Sequence, residues 1–342
     1  GNSLDFISAK RVGSSADSEL IAGDYINLSS DFKSGNIEFG GLAPGKYILN
    51  WYSQPQLNTG GSGFHDLVAM QGFEVLSNNQ GATKPDTTWT IFIYGNADHD
   101  LTPKFLNDLE EMKMAGGNEH FNILILSDLD GSQKYSLHQH NINSYFDDKI
   151  TYGKVEGGSY KVIKTLPELN SDDPMVLEDF LDWGLTNYSA DRYGLVLWDH
   201  GGQWMGFGGD RDNGKLQLNR PNMKSSDIKK SALKLLNAHG LTKFDFFSYD
   251  ACVMAGAEIL VDVHQICDVY IANPELDYGD GWDYQSVFAY LKEYPDITNI
   301  EFAQKEVQIW GAHHNRLQAD REYKFHVAYD MKKFDIYNAK LK

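Results

Sequence analysis

Two residues in this chain have the types and settings to carry out covalent chemistry together. Cys252 follows the run FDFFSYD (residues 244–250), whose aromatic and apolar side chains predict a buried strand. Beyond it, Met254, Ala257 and Leu260 fall on one helical face. The thiol is therefore expected at a helix amino end, where positive potential lowers a thiol pKa. His200 stands 52 residues upstream at a second junction of this kind, where the strand YGLVLW (193–198) gives way to Asp199-His200-Gly201-Gly202. A thiol needs a neighbouring base to become a nucleophile, and a leaving amine needs a proton donor, so the pair has the two halves of a thiol protease. Gly201 adds a backbone N–H with no side chain in front of it, able with the N–H of Cys252 to hold an oxyanion. Taken singly, each residue has an inert explanation: cysteine is a common small core residue, and a histidine at a strand end is commonly just hydrogen-bonded. The pairing separates the two accounts.

The elements around these junctions alternate. Strands are predicted at 88–94, 121–126, 193–198, 244–249 and 269–272, with helical spacing between most of them, and a last strand at 323–329. Such alternation predicts an α/β fold with a mostly parallel sheet flanked by helices, and a site outside the strands' carboxyl ends. His200 and Cys252 both fall at that rim. Two β-prone stretches between Lys149 and Thr165 flank Gly157-Gly158 and predict a hairpin outside the main sheet. Residues 206–225 are polar and Gly-rich without periodicity, a length of loop that usually has a function. Residues 1–85 differ, with short alternating segments at 36–39, 46–51 and 67–73 between Gly and Pro turns. They predict a small all-β accessory or pro-domain ending near Lys84-Pro85, leaving 86–342 as the catalytic domain.

Composition narrows the partners. The chain has 342 residues, enough for two domains, and a formal net charge of −18, which argues against nucleic acid because phosphate binding relies on Lys and Arg. No apolar run is long enough for a transmembrane segment. No signal peptide is visible, and the opening GNSLDFISAK is expected to belong to a mature or trimmed chain. The two cysteines, Cys252 and Cys267, are too few for a disulfide framework.

The blocks WDHGGQW, FDFFSYDACVMAGAEIL and the loop ending GDGW, together with TIFIYGNADHDL and ELNSDDPMVLEDFLDW, resemble the clostripain family of cysteine endopeptidases. That family shares the caspase-like fold with caspases, gingipains and legumain. Caspases also place their histidine about 50 residues before the cysteine. The resemblance implies Cys252 as nucleophile, His200 as general acid/base and Gly201 as an oxyanion donor. It implies cleavage of peptides or proteins after Arg or Lys, with Asp250 lining the specificity pocket and Asp280, in the YGDGW loop, as its second carboxylate. On their own, Asp250 also fits a helix N-cap and Asp280 an ordinary Gly-flanked turn. Relatives often mature by self-cleavage between the histidine and the cysteine. Lys215 is the expected point in the 206–225 loop, since Arg220 precedes Pro221; a solvated loop with scattered charges is the plainer account.

The chemistry needs no cofactor, but the resemblance makes calcium a candidate, with Asp98, Asp100, Asp128, Asp130, Asp210 and Asp212 as oxygen donors. The spacing in GDRDNG does not fit an EF-hand, and no metal site is assigned. The resemblance also implies a secreted, surface or periplasmic bacterial protein. One departure stands out: Asn273-Pro274-Glu275 replaces a Ser-Glu-Glu-like stretch of the substrate-binding strand. That departure favours the alternative of a catalytically silent secreted or surface binding protein retaining the peptidase fold.

Overall fold

Residues 88–133, 149–211, 223–317 and 324–341 are described in the computed structural model, together with four strands before residue 76. The chain divides into two compact units, Gly1–Thr83 and Lys84–Lys342. In the first, β1 (Phe6–Arg11), β2 (Glu19–Ile21), β3 (Gly45–Ser53) and β4 (Asp66–Val75) form an antiparallel sheet in the order β2-β1-β3-β4. The segments predicted at 46–51 and 67–73 lie in β3 and β4, whereas 36–39 lies outside the described residues.

The second unit is built on β5 (Trp89–Ala97), β6 (Phe121–Leu129), β7 (Thr151–Glu156), β8 (Ser159–Thr165), β9 (Arg192–Trp198), β10 (Phe244–Asp250), β11 (Cys267–Ala272) and β12 (Val327–Asp330). They make one sheet in the order β12-β11-β10-β9-β5-β6-β7-β8. The run from β11 to β6 is parallel, and β12, β7 and β8 add antiparallel edges. The expected α/β architecture is thus present.

Seven helices follow in chain order among the described residues: α1 (Thr102–Ala115), α2 (Pro174–Asn187), α3 (Ser225–Ala238), α4 (Ala257–Val263), α5 (Tyr284–Glu293), α6 (Asn299–Leu317) and α7 (Met331–Leu341). Local chemistry sets several ends. Asp173 caps α2 by accepting from the Met175 N–H at 3.0 Å, and Gly116 ends α1 at φ 67°, a left-handed position that favours glycine.

The central strands are apolar on both faces because helices cover both. Along β5, Ile91 and Ile93 join a core with Phe105 and Met112 of α1 and Phe288 of α5, while Phe92 and Tyr94 join one with Phe180 of α2 and Leu235 of α3. Each such fully buried side chain contributes about 1.5–3 kcal/mol.

One expectation is corrected. The hairpin around Gly157-Gly158 is not outside the sheet: β7 pairs with β6 along Ile123↔Val155 to Ser127↔Thr151. The buried Tyr152 and Val155 explain this, because they join the two different cores, so β7 is packed on both faces of the sheet. Within the parallel run, β5 pairs with β6 on one side and β9 on the other, so the winding reverses there and leaves a crevice at the strands' carboxyl ends.

Candidate active site

Strands β9 and β10 are parallel neighbours with Asp250 opposite Trp198, so the segments that follow them leave the sheet side by side. They touch at Gly201, where an added Cβ would lie 1.9 Å from the Cys252 carbonyl oxygen and 2.8 Å from Met254 Cγ. Only glycine lets the two junctions close on each other. Among the described residues, the Gly201 amide has no hydrogen bond to another backbone group, whereas the neighbouring Gly202 and Gly208 amides are spent on Gly206 and His200 carbonyls.

The helix expected to start at Cys252 starts five residues later, at Ala257. Residues 251–256 form a turn with Val253 at φ 55°, and Asp250 is the last residue of β10, so it caps no helix. The thiol therefore gains nothing from a helix amino end. Burial pushes its pKa up instead; the Asp277 N–H opposes that, and the charges of Asp277 and Asp250 add to it. The half-buried Sγ accepts from the Asp277 N–H at 3.3 Å and donates to the Asp277 carbonyl at 3.5 Å.

His200 is held by residues to which the sequence reading gave no part beside the histidine. Its Nε2 lies 3.1 Å from Asp100 Oδ1, and its ring packs against that of His99 with centroids 4.7 Å apart. Burial raises the Asp100 pKa, but the hydrogen bond from His200 and the charges of His200 and His99 outweigh it, so this carboxyl sits below its ordinary value. His99 is fully buried, with Nε2 2.5 Å from Asp199 Oδ1 and 3.2 Å from the Asn96 carbonyl. Burial disfavours the imidazolium, yet the charge and hydrogen bond of Asp199 outweigh it and lift the pKa to about 9. The Leu101 N–H, 3.1 Å from Nδ1, favours the neutral ring. The contact with a buried carboxylate is the stronger influence.

Asp250 is buried, two positions before Cys252. Its Oδ2 accepts from the Tyr284 hydroxyl at 2.7 Å and the Trp282 N–H at 3.3 Å. Gly281, at φ 45°, passes so close that an added Cβ would be 2.7 Å from both oxygens. Burial raises the pKa of Asp250, and it raises that of its neighbour Asp277 well above the ordinary range, helped by the Asp250 charge. Asp108 of α1, buried and bonded by Trp198 Nε1 at 2.7 Å, extends this acidic floor. Asp280 stands apart from Asp250's partners: its Oδ1 is 2.8 Å from Lys104 Nζ.

The substituted stretch at Asn273 is structural. The Asn273 amide bonds the Asp277 carboxyl, its Oδ1 lies 2.5 Å from His326 Nδ1, and its carbonyl accepts from the Ala255 N–H at 3.0 Å. The Glu275 carbonyl accepts from the Val253 N–H at 2.8 Å, so residues 273–277 lie against the turn at 251–256. Lys215 and Asp212 lie outside the described residues. Of the other carboxylates considered for calcium, Asp130 faces Arg211 at 2.6 Å and Asp100 faces His200. Asp98 and Asp210 converge with Glu168, their oxygens within 4.8 Å of one another.

Asp100, His99 and Asp199 were within reach of the sequence: ADHD follows the strand predicted at 88–94, at the same rim as His200. Asp108 and Asp277 had no such signal, because one lies on a helix face and the other in a loop whose path no local pattern specifies.

The clostripain family model (Peptidase_C11) matches residues 93–341. A curated relative, "Clostripain" of Hathewaya histolytica, is 30% identical over 227 residues, covering 59% of this chain and 42% of its own length. A secreted C11 cysteine protease from Bacteroides thetaiotaomicron, solved with an irreversible peptide inhibitor, superposes at a TM-score of 0.52 with 22% identity over 66% of this chain and 59% of that one. An inactive zymogen C11 protease from Parabacteroides distasonis superposes at 0.54 with 22% identity, over 75% of this chain and 66% of that one. The chain thus spans less than half of the curated relative, and the solved structures bear on the fold alone.

Proposed function

The chain belongs to the clostripain family, and on that premise we propose that it is a cysteine endopeptidase cleaving peptide bonds after Arg or Lys. The observation that carries this is the seating of Gly201 on the Cys252 carbonyl, which puts a thiol, an imidazole-bearing loop and the Gly201 and Cys252 amides at adjacent strand ends. Cys252 Sγ attacks the scissile carbonyl carbon as the thiolate, its proton passing to His200, and the oxyanion rests on the Gly201 and Cys252 N–H groups. The carbon–nitrogen bond breaks as His200 returns that proton to the leaving amine. The resulting thioester is hydrolysed by a water that gives its proton to His200, and the thiolate leaves with the carboxylic acid formed. No cofactor enters these steps.

Asp100 orients His200 by accepting from Nε2, which leaves Nδ1 for the thiol and the leaving group. Asp250, with Asp277 and Asp108 behind it and Asp280 at the side, makes an acidic pocket suited to a cationic side chain. The resting thiol is bonded to the Asp277 backbone and its pKa is raised, which fits a latent form that substrate binding or cleavage in the 206–225 loop at Lys215 converts to the active one. None of the described helices is long and apolar enough to cross a membrane; a secreted or surface location is part of this proposal.

Fluorogenic peptides ending in Arg, Lys or Asp test the reading. Hydrolysis is expected for Arg and Lys, with none in Cys252→Ala. Equal hydrolysis after Asp would remove the pocket assignment, and turnover that survives in Cys252→Ala would remove the nucleophile. Mass spectrometry of the incubated chain reads the Lys215 step, with an intact 206–225 loop in an active preparation counting against it.

A further inference from the structure

The turn that follows His200 and Gly201 puts two large apolar side chains into water beside the reacting groups. Trp204 is 67% exposed and Met205 50%, and they end a single helical turn, Gln203–Met205. Single apolar residues scattered on a surface are ordinary, but adjacent ones at the mouth of a site mark a contact surface.

These side chains are held out by an ordered backbone. The Gly202 N–H donates to the Gly206 carbonyl at 2.9 Å, the Met205 N–H to the Gly202 carbonyl at 3.1 Å, and the Gly206 N–H to the Gln203 carbonyl at 3.1 Å. Below the turn, Phe207 and Met223 exchange two backbone bonds at 2.9 and 2.8 Å, and the Lys224 ammonium donates to the Met205 carbonyl. Gln203 sits at φ 55°, a left-handed conformation that costs a non-glycine residue strain. Backbone strain of this kind persists only where the surrounding bonds enforce it.

The two faces of the sheet divide a substrate between them. Asp250 accepts from Tyr284 and Trp282, whose side chains join α1 and α5 in the core of one face. The 203–205 turn packs on α4, and Phe207 beneath it joins Ile259 and Leu260 of α4 in the core of the opposite face. His200 and Cys252 stand at the rim between the two. A basic side chain held at Asp250 therefore draws the acyl half of the peptide toward the first face. The leaving half, which takes its proton from His200, is left with the second, where Trp204 and Met205 project.

We propose that Trp204 and Met205 form a subsite for a large apolar residue just beyond the scissile bond. The enzyme would then read charge before the bond and apolar bulk after it. This subsite rests on the peptidase reading and adds a residue preference on the leaving side. An indole face and a thioether are adaptable apolar surfaces, suited to leucine, methionine or phenylalanine side chains. A leaving side chain laid on them removes apolar surface of both partners from water, and the turn, already ordered, has little freedom left to lose.

Two labelled peptides that differ only after their arginine, one Arg-Leu-Leu and the other Arg-Ser-Ser, test the subsite. Fluorescence anisotropy reads their binding to Cys252→Ala, and quenched versions give kcat/KM with the wild type. The Leu-Leu peptide is expected to be preferred by roughly tenfold in both measurements. Trp204→Ser, made in each background, is expected to cut that preference to about twofold or less, and Met205→Ser to reduce it in part. Met114→Ser, equally exposed but at the carboxyl end of α1, is expected to leave it intact. Trp204 and Met205 are exposed, so Tm should stay at the parent value; should Trp204→Ser fail to fold, Met205→Ser carries the test. Equal binding of the two peptides, or a preference undiminished in the folded variants, would overturn the subsite. Failure of the wild type to cleave either peptide would count against the peptidase reading alone, because binding to Cys252→Ala still decides the subsite.

Discussion

Gly201 and Cys252 meet backbone to backbone: the position a Gly201 side chain would take lies 1.9 Å from the Cys252 carbonyl oxygen. No rotamer relieves that overlap, since both partners are main chain. Gly201→Ala is therefore expected to separate the two junctions, destabilising the fold by about 1–3 kcal/mol. Losing the oxyanion geometry should also lower kcat by roughly 10²–10³-fold. Steady-state kinetics and thermal unfolding of one preparation check both. An alanine variant with full activity would mean that the amide of residue 201 has no part in turnover.

Asp100 accepts from the His200 imidazole at 3.1 Å while lying largely in solvent itself. Asp100→Asn is expected to keep the fold and lower kcat by about tenfold, less than the ~10²–10⁴-fold loss expected for His200→Ala. Its KM should stay near the wild-type value, because the carboxylate orients the base and does not touch substrate. A change confined to KM would place Asp100 in substrate binding instead.

Lys104 lies over the proposed second pocket carboxylate, its ammonium 2.8 Å from Asp280. A cationic substrate side chain reaching Asp280 competes with this resident cation. The pair is partly exposed, worth at most about 1 kcal/mol. Lys104→Met is thus expected to raise kcat/KM on Arg-terminated peptides by no more than roughly fivefold. No gain, with an unchanged fold, would show that Asp280 is not part of the pocket that reads charge.

The His99–Asp199 pair gives stability a pH dependence of defined sign. The His99 pKa rises from 6.5 to about 9 because Asp199 outweighs burial. The folded state then binds this proton more tightly than the unfolded one. The stabilisation is complete below about pH 6.5 and is lost as pH climbs through about 9. Chemical denaturation between pH 6 and 9.5 should show a fall in stability that His99→Gln lacks. If both proteins behave alike, the Leu101 N–H has kept the ring neutral and His99 acts by packing alone.

Much of the site's location could be read from the chain. The strand–helix rhythm after residue 88 marks a parallel sheet, and such a sheet puts chemistry at its carboxyl rim, where His200 and Cys252 fall. The hairpin at β7 and β8 is expected outside the sheet from sequence, because two short strands can cover an edge or stand alone, and only the packing of Tyr152 against Phe180 and Trp183 decides it.

Sequence by itself determined which residues could react and which strand ends carry them, since both follow from local periodicity and residue type. It also singled out the glycine that lets the ends meet. Tertiary structure alone decided the thiol's state. The local pattern put Cys252 at a helix start with a lowered pKa, whereas the turn at 251–256 removes the helix and burial raises the value. It also decided the company each group keeps: Asp100 under His200, Asp277 against Asp250, and Glu168 with Asp98 and Asp210. These partners lie from 27 to 112 positions apart in the chain. Electrostatic environment depends on distance in space, and no local pattern encodes separations of that kind.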